Sequence, residues 1–87
     1  MQVYLVERSL KGIAMDQLAA AQQSAIQTAQ QMSQEGTPIR YIRSTFVPET
    51  GACKCLFSAE DAQQVKALNE RAKIPFDNVV AALDLTP

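Results

Sequence analysis

Residues 39–58 read IRYIRSTFVPETGACKCLFS. β-Branched and aromatic residues fill both ends, and Pro48-Glu49-Thr50-Gly51 interrupts them with turn-forming chemistry. The pattern predicts two strands, Ile39 to Val47 and Ala52 to Ser58, joined as a hairpin. A tight turn at Pro48–Gly51 sets Val47 opposite Ala52, Phe46 opposite Cys53, Ser44 opposite Cys55 and Ile42 opposite Phe57. Side chains alternate along a strand. One face of the hairpin is therefore expected to carry Ile42, Ser44, Phe46, Cys53, Cys55 and Phe57. The other is expected to carry Tyr41, Arg43, Thr45, Val47, Ala52, Lys54 and Leu56. The first face is small and apolar and belongs beneath helices; a bulge would exchange the two.

On the N-terminal side, residues 15–34 place Leu18, Ala21, Ala25, Ala29 and Met32 at helical spacing, with Gln23, Gln27, Gln30, Gln31 and Gln34 on the solvated side. Gly36 and Pro38 end that helix. Val3 to Arg8 alternates as a strand, broken by Lys11-Gly12, and its Val3, Leu5 and Glu7 fall on the mixed face. On the C-terminal side, Ser58 with Asp61 three residues on reads as a capping box. Ala62, Val65, Leu68 and Ala72 stripe a second helix that Pro75 stops, and Asn78 to Leu85 reads as a last strand. Strand, helix, strand, strand, helix, strand in 87 residues predicts one α+β domain spanning residues 1–87. Its expected architecture is the ferredoxin-like βαββαβ sandwich, a four-stranded antiparallel sheet with two helices on one face. The other face is left uncovered, which in so small a domain favours pairing with a second copy.

Composition narrows the function. The chain is 47% hydrophobic and 20% charged with a formal net charge of −1, so no basic excess favours nucleic acid. No apolar run approaches the roughly 20 residues that span a bilayer, and the first residues lack a signal-peptide pattern. A cytoplasmic protein with neither nucleic-acid nor membrane partners is the expectation. Histidine is absent, which removes the commonest general base, histidine metal ligation and Ser-His or Cys-His nucleophilic chemistry.

The candidate ligand-binding residues are Glu7, Tyr41, Arg43 and Lys54, which the alternation gathers on the open face. A charged cluster on an apolar sheet suits a small polar or anionic molecule. It suits, still more readily, an ion-paired network that only sets the register of a dimer. Cys53 and Cys55 lie two apart on one strand, hence on one face, roughly 6.5–7 Å apart, and read as free thiols in a reducing compartment. As metal ligands Cys55, Cys53 and Glu7 form a weak set, because C-x-C supplies only two soft donors to copper(I) or zinc. Buried cysteine more often packs as a small hydrophobe. Glu60 and Asp61 fit the first turn of the second helix, where negative charge favours the helix dipole, better than a catalytic dyad.

Tyr4-Leu5-Val6-Glu7-Arg8, Tyr41-Ile42-Arg43-Ser44, Cys55-Leu56-Phe57-Ser58-Ala59 and Ile74-Pro75-Phe76-Asp77 resemble, in content and spacing, a family of small uncharacterised bacterial proteins that includes a nickel-binding protein. The resemblance implies a ferredoxin-like fold paired into a dimeric α/β barrel. It also implies nickel as a cofactor, but members often carry histidine where this chain has Arg43 and Leu68. No cofactor is therefore carried over, although Glu7 and Cys55 match the family pattern. The leading expectation is a homodimer enclosing a small polar or anionic ligand between open sheet faces. The alternatives are a cofactor-free dimeric α/β-barrel enzyme of monooxygenase or isomerase type, with Glu7 as base and Arg43 as oxyanion stabiliser, a metal-binding protein, and a purely structural dimer.

Overall fold

Six elements follow one another in the computed structural model, which describes residues 1–87. They are β1 (Gln2–Ser9), α1 (Met15–Gln34), β2 (Ile39–Val47), β3 (Ala52–Ala59), α2 (Ala62–Arg71) and β4 (Asn78–Ala82). The sheet order is β2-β3-β1-β4, and every neighbouring pair is antiparallel. This is the ferredoxin-like α+β architecture, with both helices on one side. Neither helix is long and apolar enough to cross a membrane.

The core lies between the helices and one sheet face. Val6, Phe57, Val65 and Leu68 are fully buried at its centre, with Tyr4, Ala25, Ala29, Met32, Ile39 and the two cysteines around them. Each fully buried large apolar side chain contributes about 1.5–3 kcal/mol relative to exposure. The α1 stripe is small, with Ala25, Ala29 and Thr28 buried, so the helix backbone can approach the sheet closely. Thr28 stays inside because its hydroxyl donates to the Ser24 carbonyl at 2.7 Å. The glutamines of α1 face solvent as expected.

Helix ends show where local chemistry departs from the sequence reading. Ser58 does not cap α2: it remains in β3, which runs on to Ala59. Asp61 is the cap, and its carboxylate accepts from the Gln64 amide at 2.9 Å. The cause is the extra strand residue, which pairs Ala59 with both Gln2 and Ile39. At the start of α1, Ala14 has no side-chain acceptor, and Gln17 reaches back to the Ala14 amide instead. At the far ends of the helices, Arg71 donates two bonds to Glu35, at 2.8 and 2.6 Å. Hydrogen bonding from Arg71 holds the Glu35 carboxyl below its ordinary range.

One further boundary and one register differ from the sequence reading. The last strand ends at Ala82, not Leu85, and its pairing with β1 stops at Val3 opposite Ala82. The hairpin keeps its expected register from Ser44–Cys55 to Val47–Ala52, but an irregularity falls between Tyr41 and Arg43. Tyr41 pairs with Phe57 and Arg43 with Leu56, leaving Ile42 as the extra residue.

Gly51 closes the hairpin at φ +79°, and a Cβ there would lie 2.4 Å from the Lys11 backbone. The Gly51 carbonyl also accepts from the Leu10 amide at 2.8 Å, so the turn and the exit of β1 are stitched together. Gly36 also has a positive φ, +99°, but open space around it. Gly51→Ala is therefore expected to lose more stability in urea unfolding than Gly36→Ala, which carries only the left-handed penalty of about 1–2 kcal/mol. Equal losses would mean that the Lys11 contact yields freely.

Candidate functional site

The open sheet face is built by the residues that alternate away from the helices. Val3, Leu5 and Glu7 of β1 lie across from Ser58, Leu56 and Lys54 of β3, and Val80 of β4 sits opposite Leu5. Arg43, Thr45 and Val47 continue the face on β2. Glu7, Arg43 and Lys54 thus share one surface, with Glu7 and Lys54 as direct register partners. No ion pair joins those two.

Arg43 instead pairs with Asp84. Asp84 follows β4, at the edge of the sheet opposite β2. The chain after Ala82 therefore turns across the open face and sets a carboxylate on the Arg43 guanidinium. The side chain of Asp84 is largely covered in doing so, whereas Leu83 and Leu85 beside it are strongly exposed.

Tyr41 is not on this face, which corrects the sequence-based placement. The irregularity at Ile42 turns Tyr41 toward the helices, where its ring meets Phe57 edge-on with centroids 5.5 Å apart. Its hydroxyl accepts from the Gln22 amide at 3.0 Å and bonds the Ser44 hydroxyl. Ser44 in turn donates to the Cys55 sulfur at 2.9 Å. An aromatic ring that fills core space and a hydroxyl with partners there outweigh strict alternation.

Cys53 and Cys55 are free, buried and on the helix side, with sulfurs 3.9 Å apart. Glu7, the third weak metal candidate, lies on the opposite face. No three cysteine, aspartate or glutamate side chains gather anywhere in a way that could hold a metal ion. Burial pushes the Cys53 thiol up to about 11, and neighbouring Cys55 adds to the effect while Arg8 opposes it.

The sequence reading passed over Arg8 as a site residue. It is 4% exposed and lies beneath the helices opposite Cys53. One terminal nitrogen donates to the Pro75 carbonyl at 3.1 Å, its Nε is buried without a partner, and no carboxylate pairs with it. The available signal was alternation: if Glu7 points outward, its neighbour Arg8 must point inward.

The arrangement defines a ferredoxin-like domain with a charged open sheet face and a buried arginine beneath its helices. The chain belongs to the family described as Nickel responsive protein SCO4226-like, which matches residues 4–81. It is similar in structure to SCO4226 from Streptomyces coelicolor A3(2), known from a crystal structure. That likeness has a TM-score of 0.78 at 22% identity, over 98% of this chain and 99% of that one. No curated protein sequence matches the chain.

Cys53 makes stability depend on pH in the alkaline range. Its folded value lies above the ordinary thiol value of 9.0, so the folded state retains a proton that the unfolded chain releases. Its contribution to stability is full below about pH 9 and is lost as pH rises through about 11. Melting temperature should fall across that window, and Cys53→Ala should flatten the decline. An unchanged slope in the variant would assign the alkaline loss to other groups.

Proposed function

We propose that the chain is a non-catalytic binding module, working as a homodimer that joins through its open sheet face and holds a small polar or anionic ligand there. The observation that carries this reading is the Arg43–Asp84 pair. Arg43 already receives a carboxylate on the open face, and that carboxylate comes from a short segment following the last strand. An external anion that displaces Asp84 inherits a guanidinium suited to two-point recognition of carboxylate or phosphate. Lys54, exposed and without an ion pair, adds a second positive group, and Glu7 beside it orients polar parts of the ligand.

The apolar residues of the same face support pairing. Val3, Leu5 and Leu56 are only half-buried, and Val47 and Val80 are exposed. A two-fold arrangement covers them with their own copies, since the same patch serves on both protomers. Two free cysteines agree with a reducing, cytoplasmic setting.

Nickel enters through the family's description, and the donors in this chain do not fit it. The two thiols and Glu7 occupy opposite faces of the sheet, Arg43 holds Asp84, and Leu68 is fully buried in the core.

Native mass spectrometry of protein purified without added metal tests the reading. A dimer carrying excess mass, lost in Arg43→Ala, is the expected result. Leu5→Asp should convert the dimer to monomer by burying charge in the seam, and Asp84→Asn should strengthen anion binding by removing the internal competitor. A wild-type monomer would overturn the pairing, and excess mass retained in Arg43→Ala would remove Arg43 from the site.

A further inference from the structure

A cavity of about 150 Å³ lies between α1 and the helix side of the sheet. Leu10, Leu18, Phe46 and Ile74 contribute apolar walls, and Arg8 reaches its lining beside Cys53 and Cys55. It is separate from the open face, because its sheet residues are those that alternate the other way.

The polar groups of this cavity differ in one respect. Gln22, Tyr41, Ser44 and Cys55 bond to one another in a chain, so their capacity is largely used internally. Arg8 is not satisfied in that way: its Nε has no partner and its charge has no counter-ion. The other buried unpartnered polar atom, Asn69 Oδ1, is neutral and lies outside this cavity. An uncompensated buried charge costs several kcal/mol. A water molecule could accept from Nε but would leave that charge in place. An anion does both.

We propose that this cavity is a binding site for a small monocarboxylic acid with an aromatic or branched apolar body, its carboxylate on Arg8 and its body among Leu18, Phe46 and Ile74. Size agrees, since an apolar cavity of about this volume holds benzene. Charge agrees, since the one unmet group is a cationic donor and calls for an acceptor. Inorganic phosphate is a poor fit, because it would bring charged oxygens against the apolar walls of Leu10, Leu18, Phe46 and Ile74.

Benzoate is the probe. Titrated into ¹⁵N-labelled full-length protein, it should give saturable shifts at the Arg8 Nε–H and at the amides of Leu18, Ala25 and Cys53. Benzyl alcohol, of similar shape but uncharged, should bind weaker by about tenfold or more. Arg8→Met should lose benzoate. Ala21→Leu, which fills the cavity from α1 and leaves Arg8 intact, should lose it as well, so the test survives if Arg8→Met fails to fold. Leu5→Asp should retain benzoate affinity, which keeps this site's failure distinct from failure of the dimer. Absence of saturable shifts would overturn the proposal and leave water as the partner of Nε. So would equal binding of benzyl alcohol, phosphate binding that survives Ala21→Leu, or shifts at Leu5, Leu56 and Lys54 in place of the cavity residues.

Discussion

Strand β1 lies inside the sheet with β3 on one side and β4 on the other, so its backbone has no freedom to turn. Its two-residue period sends Tyr4, Val6 and Arg8 beneath the helices and Val3, Leu5 and Glu7 to the open face. Everything of functional interest depends on that division. Glu7 and Arg8 are adjacent in sequence yet belong to different chemical environments, one at a surface suited to a partner and the other in a pocket closed by α1. A one-residue slip of β1 would bury Glu7 beside two thiols and expose Val6, and the fully buried packing of Val6 opposes it.

The same constraint explains which parts of the structure were legible in the sequence. Helix α1 and strand β2 begin and end where periodicity and the Gly36–Pro38 and Pro48–Gly51 punctuation put them. Strong repeated patterns bounded by breakers leave little choice. The cap of α2 was less legible, because Ser58 and Asp61 are both good capping residues and only the length of β3, set by its neighbours on both sides, selects Asp61. The end of β4 was not legible either: its β-rich sequence runs on to Leu85, whereas its pairing with β1 stops at Ala82.

Tyr41 shows the limit more sharply. Alternation from the hairpin turn correctly faces Ser44, Phe46, Cys53, Cys55 and Phe57, and then fails at one residue. Nothing local forbids Ile42 from taking the inward position. The decision comes from Gln22, nineteen positions away on α1, and from the Phe57 ring, which together give Tyr41 both packing and hydrogen bonds inside. Such tertiary preferences are invisible to a period of two. The Asp84–Arg43 pair is of the same kind, joining residues from opposite edges of the sheet through a segment that the sequence reading assigned to a strand.

Charge placement separates the two faces energetically. On the open face, Arg43 is half exposed and its bond to Asp84 is partly screened by solvent, so exchanging that carboxylate for another is a small change. Arg8 has no such freedom. It is buried, it meets one backbone carbonyl, and Cys53, its partner across β3, remains protonated near neutral pH because burial resists the thiolate. Ionising that thiol would answer the arginine's charge only by placing a second buried ion 3.9 Å from another sulfur. The protein therefore keeps a buried cation with no carboxylate paired to it. Its bond to the Pro75 carbonyl is the one structural role on view, and Met at this position would fill similar volume without an unpaired charge. The arginine makes physical sense when an acceptor from outside the chain shares the cavity with it.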